Sequence, residues 1–225
     1  MSSNFIKINY KEECGGHSHV AYFPNAISYE DHETIENWLN NISRWEQGET
    51  PHGKVPRQQL WFHQELHPFT RVWPHQYPRW QAYEYTAQAH QAHEIVSKCF
   101  SDTKMYSKKK FNSMLVNKYR TGEDTIAPHR DCIPEFGENP VVACLSIGSP
   151  RCITFERLIH DPLHPSSMRR DTSSPPIKIT LEPRSLLVMA GCTQKYYCHG
   201  IDKDKSMQKC RYSLTLREHN QPCTA

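Results

Sequence analysis

The sequence lacks any apolar run approaching the roughly 18 residues that a membrane-spanning helix needs. Its first residues also lack the apolar stretch of a secretory signal peptide, and none of its nine cysteines belongs to a C-x-x-C pair. These absences argue against a membrane partner, a secreted protein and a C-x-x-C redox or zinc motif. We therefore expect an intracellular protein, nuclear or cytoplasmic, with reduced thiols.

The composition is that of a folded protein with no strong overall charge. Apolar residues make up 37% of the 225 residues and aromatic residues 11%, which is enough for a hydrophobic core. This length predicts one compact unit, which we expect to be a monomer. The net charge is only +3, but residues 98–110 hold five lysines against one aspartate. That cluster is either a phosphate-binding patch or a solvated loop.

The N-terminal half predicts a short strand followed by two helices. Ser28 and Asp31 resemble a capping box, and apolar residues then recur at helical spacing, so we predict a helix over residues 29–45. Glycines and prolines mark residues 48–56 as a loop. A second helix is predicted over residues 79–99, and the prolines before it forbid a long regular element.

From residue 111 onward the pattern changes to the two-residue period of β-strands. The predicted strands cover residues 111–119, 141–147, 152–158, 177–181, 185–190 and 210–217. Many short strands separated by turns favour an antiparallel sandwich or barrel such as a jelly roll. Residues 160–176, rich in Pro, Ser and Arg, predict a mobile surface loop. The fold class is therefore α+β, mainly β, with a two-layer β core supported by N-terminal helices.

Two histidines and an aspartate are the candidate metal ligands. His129 and Asp131 flank one residue, and His199 follows 68 positions after Asp131. Two imidazoles and one carboxylate form the facial triad of non-haem Fe(II) sites, which leaves open coordination positions. On an extended segment, residues i and i+2 point the same way, so His129 and Asp131 can hold one ion. His63 and Glu65 have the same spacing, but they lie in a proline-broken region without an obvious third ligand.

The last predicted strand carries a second constellation, with four polar residues of equal parity. One strand face carries the four polar residues Arg211, Ser213, Thr215 and Arg217, and the other face carries three apolar residues. Burying two guanidinium groups is costly unless anions accompany them, and a dicarboxylate co-substrate would supply those anions. Asn117 and Tyr119, on one face of their own strand, would add hydrogen bonds. An exposed strand face is the alternative interpretation.

The order of these motifs resembles the AlkB-type 2-oxoglutarate and Fe(II)-dependent dioxygenases, particularly the animal homologues that repair alkylated DNA. The resemblance spans residues 51–218 and is strongest from residue 112. The segments that carry it are Asn117-Lys-Tyr119, His129-Arg-Asp131, Ala143-Cys-Leu-Ser-Ile-Gly148, Ser185-Leu-Leu-Val-Met-Ala-Gly191, His199 and Arg211-Tyr-Ser-Leu-Thr-Leu-Arg217.

The resemblance implies a double-stranded β-helix core and the oxidative demethylation of N-alkylated nucleobases in DNA. Fe(II), 2-oxoglutarate and O2 would be the cofactor and co-substrates, with formaldehyde, succinate and CO2 as products. Fe(II) would be bound by His129, Asp131 and His199. The distal carboxylate of 2-oxoglutarate would contact Asn117, Tyr119 and Arg211, and its proximal end Arg217. Ser213 and Thr215 would make the surrounding contacts.

The same resemblance implies how the substrate is recognised. Chemistry on a paired base requires extruding it from the helix. Residues 1–110 would form a helical extension that carries a nucleotide-recognition lid, packed on a core of residues 111–225. The lid segment would be residues 55–62, within which Arg57 would contact a phosphate or the orphaned base, and Trp61 or Phe62 would stack on the target. The alternative is that both aromatic residues belong to the core. Arg130, Lys54 and residues 108–110 would contact the nucleic-acid backbone.

Two departures from the family pattern leave the substrate open. Repair members carry a carboxylate within two positions after H-x-D, whereas here Cys132, Ile133 and Pro134 precede the next acid, Glu135. Ser213 and Leu216 replace the Asn and Phe of the last motif. An RNA demethylase or hydroxylase of the same fold is the first alternative. The second is a non-catalytic binding module with zinc, whose fourth ligand would be Cys198 or Cys132.

Overall fold

The computed structural model describes residues 5–50, 53–65, 81–106, 109–131, 133–164 and 166–220. The helices are α1 (Tyr29–Asn40), α2 (Ala87–Asp102), α3 (Ile133–Phe136) and α4 (Thr193–Tyr196). The strands are β1 (Ile6–Lys11), β2 (His17–Phe23), β3 (Glu49–Thr50), β4 (Gly53–Lys54), β5 (Gln58–His63), β6 (Ser113–Tyr119), β7 (Ile126–His129), β8 (Val142–Gly148), β9 (Arg151–His160), β10 (Met168–Arg170), β11 (Ile177–Leu181), β12 (Leu186–Gly191), β13 (Tyr197–Ile201) and β14 (Arg211–Arg217).

Two antiparallel sheets form the core. The major sheet has the strand order β1-β2-β12-β8-β14-β6-β5. The minor sheet has the order β10-β9-β13-β7, with β11 also paired to β9. One hydrophobic cluster fills the space between the two sheets, and a second packs α1 and α2 against the outer face of the major sheet. This architecture confirms the predicted fold class, a jelly-roll core supported by helices.

The first helix is five residues shorter than predicted. Ser28 caps it as expected, because its hydroxyl accepts a hydrogen bond from the Asp31 amide at 3.0 Å. The helix ends at Asn40, since the backbone amide and side-chain amide of Asn41 both bond to the Asn37 carbonyl. These local bonds satisfy the last turn in place of further helix. Ile42 and Trp45 nevertheless pack against the core.

The second helix begins at Ala87 and not at residue 79, and the first two residues of the predicted helix lie outside the described residues. Thr86 caps it by accepting a hydrogen bond from the Ala89 amide. Before the cap the chain is extended, because the Tyr83 amide donates to the Trp61 carbonyl of β5 at 2.8 Å. Over the described residues 81–86, an extended segment that pairs with β5 at Tyr83 therefore replaces the helix that the periodicity predicts.

Several strands were not predicted from the sequence pattern. β7 and β13 are short, and β10 lies inside the segment predicted as a loop, where it pairs with the end of β9. β5 pairs in register with β6 along its whole length, so residues 58–62 of the predicted lid belong to the major sheet. The predicted loop over residues 48–56 contains the β3–β4 hairpin.

The predicted division at residue 110 separates strands that pair in one sheet. β1, β2 and β5 precede it, yet all three belong to the major sheet with strands that follow it. None of the helices in the described part of the chain is both long and apolar enough to cross a membrane.

We expect the centre of the major sheet to dominate stability. Leu214 is fully buried on β14, between β6 and β8. Replacing it by alanine leaves a cavity, so Leu214→Ala is expected to lower the free energy of unfolding by about 2–5 kcal/mol in urea titrations. The matched control is Leu163→Ala, because Leu163 is 82% exposed. That change is expected to stay within about 0.5 kcal/mol, and equal effects would contradict the assigned core.

Candidate active site

The three predicted metal ligands converge. His129 lies at the end of β7 and His199 lies directly opposite it on β13, with ring centroids 4.5 Å apart. Asp131 follows two residues after His129, and its carboxylate lies 3.8 Å from His129 Nε2. One potential ligand atom from each residue lies within 4.8 Å of the others. Cross-strand pairing thus joins residues that are distant in sequence into one N, N, O donor set, which fits Fe(II).

Neighbouring groups orient these ligands. His129 Nδ1 lies 3.0 Å from the Ala127 carbonyl, which can only accept, so Nδ1 carries the proton and Nε2 is left for a metal. The side-chain oxygen of Gln194, on α4, accepts a hydrogen bond from the Asp131 backbone amide at 2.9 Å. Arg217 donates to both oxygens of the Asp131 carboxylate, from Nε at 2.7 Å and from Nη2 at 3.2 Å. A carboxylate bound on two sides keeps further lone pairs for a metal.

The electrostatics hold all three ligands in metal-binding form. Burial, with a smaller contribution from His129, lowers the pKa of His199 to about 3. Burial likewise lowers the pKa of His129. Burial acts to raise the pKa of Asp131, but the charge of Arg217 and its hydrogen bonds to the carboxylate outweigh burial and leave the pKa below its usual value. At neutral pH the imidazoles are therefore neutral and the carboxylate is ionised, as metal coordination requires.

A cavity of about 610 Å³ contains the ligand triad. It opens between the two sheets, and the triad and all four equal-parity residues of β14 line it. Leu214 and Leu216 pack on the opposite side of the strand, in the cluster under the helices. The predicted parity of β14 is therefore confirmed.

The buried guanidinium of Arg211 has N–H donors that a bound anion could use. Its side chain is 1% exposed, yet only Nη2 has a partner, the Ser146 hydroxyl at 3.0 Å. Nε and Nη1 are buried and have no hydrogen-bond partner among the described residues. A buried guanidinium with two N–H donors that make no hydrogen bond is destabilising unless a carboxylate binds there. This residue therefore fits the carboxylate of a diacid co-substrate.

The neighbours of Arg211 are also suited to a ligand. The ring of Tyr119 lies against its guanidinium, 5.1 Å from ring centroid to carbon. Asn117 faces the same cavity, where its Oδ1 accepts from Gln59 at 2.9 Å and from Arg57 Nε at 3.0 Å. The amide nitrogen of Asn117 donates to the Ser213 hydroxyl at 3.5 Å, and its second N–H group can donate to a ligand oxygen.

The rival metal ligands are placed elsewhere. His63 is buried on β5, and its Nδ1 lies within 2.9 Å of the Glu65 backbone. Cys198 contacts Glu156 and is not a member of the ligand group. Cys132 lies outside the described residues. Within the described ranges, His129, Asp131 and His199 are the one group of three or more such side chains close enough to hold an ion.

The structure corrects the predicted positions of several substrate residues. Trp61 and Phe62 are 1% and 5% exposed within β5, which leaves neither ring free to stack, so the alternative interpretation as core residues is the one observed. Arg57 does not extend into solvent; it binds Asn117 and the Thr125 carbonyl on the cavity wall. Burial lowers its pKa.

The remaining substrate candidates lie at different depths. Arg130 is exposed beside the triad and also lines the cavity, as does the exposed Lys54 of the β3–β4 hairpin. Glu135 is 8% exposed in α3, and its Oε2 has no partner among the described residues. Residue 108 lies outside the described residues.

Sequence reasoning missed Gln59, Gln194 and Arg151. Gln59 and Gln194 are buried amides that bond to Asn117 and to the Asp131 amide. Arg151 is 2% exposed and lies 5.7 Å from the centroid of the Tyr119 ring. It donates to the carbonyls of Thr121, Asp124 and Asp202. An isolated glutamine carries no motif, but Arg151 starts a strand that alternates, and this position could have been assigned inward.

The comparisons with known proteins agree with the geometry. Residues 19–217 match the model of the 2OG-Fe(II) oxygenase superfamily. The chain is 27% identical over 206 residues to the Homo sapiens alpha-ketoglutarate-dependent dioxygenase alkB homolog 3, covering 90% of this chain and 66% of that protein. It is 31% identical over 121 residues to the Arabidopsis thaliana DNA oxidative demethylase ALKBH2, covering 48% of this chain and 38% of that protein.

A solved structure of OsALKBH1 superposes with a TM-score of 0.56 at 14% identity, covering 89% of this chain and 96% of that chain. At this identity the superposition shows a shared fold. The chain spans 66% of the length of the human relative.

Proposed function

Because this chain belongs to the 2OG-Fe(II) oxygenase superfamily, we propose that it is a dioxygenase that oxidatively removes N-alkyl groups from nucleobases in DNA. The observation that carries the proposal is one cavity lined by both a His-Asp-His donor set and the buried, unsatisfied guanidinium of Arg211. A metal and a dicarboxylate satisfy these two demands together. The name of the human relative supports an alpha-ketoglutarate-dependent dioxygenase, and the name of the plant relative, a DNA oxidative demethylase, supports DNA demethylation as the reaction.

The protein's own residues bind and orient the reactants. His129, Asp131 and His199 would hold Fe(II). Arg217 keeps the Asp131 carboxylate in place and would also contact the proximal end of 2-oxoglutarate. Arg211, Asn117 and Tyr119 would bind the distal carboxylate, with Ser213 and Thr215 around it. Bound iron, with 2-oxoglutarate and O2, would supply the oxidant that hydroxylates the N-alkyl carbon. The hydroxylated product then loses formaldehyde.

Apolar side chains complete the wall and exclude water from the reaction. The cavity includes Leu115, Ile153, Leu181, Leu187 and Met189, contributed by both sheets. A dry wall strengthens the ion pairs at Arg211 and Arg217 and protects a reactive centre from solvent. The two-layer fold thus supplies a compartment that also contains the metal ligands.

The substrate enters past positively charged side chains. We assign Arg130 and Lys54 to the phosphates, because both are exposed at the cavity that holds the metal ligands. The nucleotide-recognition lid proposed within residues 1–110 is the part of the predicted segment that precedes β5, residues 55–57, next to the strands of residues 111–225. Glu135 and Arg57 are the proposed base contacts. Both are sheltered from bulk water, where a hydrogen bond to a base is most selective.

The experiment that tests this function is formaldehyde release from N-methylated oligonucleotides with Fe(II), 2-oxoglutarate and O2. Matched single-stranded DNA, duplex DNA and RNA of one sequence serve as substrates. We expect formaldehyde and succinate in equal amounts, with DNA turned over faster than RNA. Faster turnover of RNA would support the RNA-demethylase alternative, and a metal-loaded protein that never consumes 2-oxoglutarate would support the zinc-binding module.

A charge variant separates nucleic-acid binding from catalysis. Arg130→Ala is expected to raise the KM for every oligonucleotide several-fold and to lower the salt dependence of binding, without changing 2-oxoglutarate decarboxylation. The matched control is Arg169→Ala, because exposed Arg169 lies on β10, at the opposite edge of the minor sheet from β7. Equal effects of the two variants would assign binding to overall charge. A nucleus or cytoplasm location and a monomeric state are part of this proposal.

A further inference from the structure

Two cysteines that are far apart in sequence meet at the surface. Cys14 lies in the turn between β1 and β2, Cys192 lies between β12 and α4, and their sulfur atoms are 3.6 Å apart. The backbones around them are held in register, since the Cys192 amide donates to the His17 carbonyl at 2.8 Å and Gly191 pairs with Ser18. The turn that carries Cys14 is closed by two backbone bonds, from the Glu12 amide to the Gly16 carbonyl at 2.8 Å and from the Gly15 amide to the Glu12 carbonyl at 2.9 Å. Sheet pairing and this turn together place the two sulfurs side by side.

The two thiols have unequal environments. Cys14 is exposed, whereas Cys192 is 7% exposed. Hydrogen bonds from the Gly16 amide and the Tyr196 hydroxyl, with the charge of Lys195 nearby, lower the pKa of Cys14. Burial raises the pKa of Cys192. An accessible sulfur whose thiolate is stabilised, beside a buried thiol, is the arrangement of an attacking cysteine and a resolving cysteine.

We propose that Cys14 and Cys192 are a redox-modification site that forms a reversible disulfide when a hydroperoxide oxidises Cys14. The Cys14 thiolate attacks the terminal oxygen of the hydroperoxide, the O–O bond breaks, and an alkoxide leaves (hydroxide from hydrogen peroxide), so the sulfur becomes a sulfenic acid. The Cys192 thiol then attacks that sulfur, the S–O bond breaks and water leaves, which joins the two sulfurs. Two electrons pass from the thiol pair to the peroxide, and an external dithiol returns them on reduction.

A glycine permits the close approach of the two sulfurs. A Cβ atom added to Gly16 would lie 2.5 Å from Cys192 Sγ and 3.5 Å from Cys14 Sγ, so any side chain at this position must displace the Cys192 sulfur. The site is distinct from the cavity, but α4 begins next to it and carries Gln194, which binds the Asp131 amide. A disulfide would fasten the turn before β2 to the element that supports a metal ligand.

Peptide mapping of the full chain tests the proposal. The protein, with excess Mn(II) to avoid iron-driven cleavage of the oxidant, is treated with hydrogen peroxide, alkylated without reduction and digested with trypsin. Cys14 and Cys192 fall in separate peptides, residues 12–44 and 185–195, each with one cysteine. We expect one linked species of these two peptides, which disappears after dithiothreitol. The oxidised protein is expected to melt about 5 °C higher, because the cross-link closes a long loop.

Three variants keep the test decisive. Cys14→Ser abolishes both the linked peptide and the shift in melting temperature, whereas Cys152→Ser, a half-buried cysteine on β9, leaves both unchanged. Gly16→Ala keeps all thiols but is expected to lower the yield of the linked species at least several-fold. The proposal is overturned if peroxide leaves the two peptides unlinked, if it carries Cys14 to the sulfinic acid at the same dose, or if Cys14 links to another cysteine instead. None of these outcomes depends on the activity proposed for the cavity.

Discussion

Arg211→Met is expected to raise the 2-oxoglutarate concentration for half-maximal decarboxylation by about 100-fold or more, while the protein without co-substrate stays at least as stable as the wild type. The guanidinium is buried and leaves Nε and Nη1 without a partner among the described residues, so its removal costs few protein contacts. Replacing a poorly paired buried charge by an apolar side chain is often neutral or stabilising, whereas losing one partner of a buried ion pair weakens binding strongly.

Two measurements check this expectation. Decarboxylation kinetics give the change in KM, and thermal melts with and without 2-oxoglutarate give the change in stability. The wild type is expected to melt at a higher temperature with 2-oxoglutarate, and Arg211→Met is expected to show no such shift. A variant that melts early but retains the wild-type KM would show that Arg211 is a structural residue and not the co-substrate's partner.

Arg151→Met is the matched control. Arg151 is buried and lies 5.7 Å from the centroid of the Tyr119 ring, which also contacts Arg211. Its Nη1 and Nη2 atoms already bind the carbonyls of Thr121 and Asp124, and only its Nε has no partner among the described residues. Its replacement leaves these buried carbonyls without their hydrogen-bond donor, so we expect a loss of stability with a much smaller change in KM than at Arg211. The two variants thus distinguish an arginine that binds a ligand from one that stabilises the fold.

Asp131→Ala is expected to abolish 2-oxoglutarate decarboxylation and to destabilise the protein, for two different reasons. The carboxylate is one of three metal-binding groups, so the affinity for Fe(II) is expected to fall by more than the roughly 10–100-fold that loss of an outer-shell partner costs. The same carboxylate pairs with both arms of Arg217, which is 8% exposed. Removing it leaves a buried guanidinium without a counterion.

A double variant distinguishes these reasons. Asp131→Ala with Arg217→Met removes both charges, so thermal stability is expected to recover, whereas Fe(II) binding and activity are not. Arg217→Met alone keeps the metal ligand and loses its support, so an anaerobic Fe(II) titration is expected to show about a 10–100-fold weaker site. Iron bound with wild-type affinity by Asp131→Ala would refute the donor set itself.

The order of motifs along the chain was sufficient to predict the family, which the match over residues 19–217 confirms. The alternation in β14 also predicted which side chains face the cavity, since Arg211, Ser213, Thr215 and Arg217 all line it. Prediction of helix ends was poorer. α1 stops at Asn40 because Asn41 satisfies the last turn with its own amides, a local competition that apolar periodicity does not register.

The segment around Trp61 shows what periodicity could not resolve. Its aromatic residues suit a lid over a base as well as they suit a core, and only pairing with β6 assigns them to the major sheet. Arg57 shares this ambiguity, because an arginine after a proline carries no sign of whether it points to solvent or towards Asn117.

Local sequence alone determined the strand parity, the capping of α1 and the ligand chemistry of His129 and Asp131, because these depend on neighbours one to four residues away. The tertiary structure alone decided that His199 faces His129, that Arg217 grips Asp131 and that Cys14 touches Cys192. Each of those contacts joins residues at least 70 positions apart. Strand order and register set such contacts, and they arise from the packing of the whole core, which no short window of sequence contains.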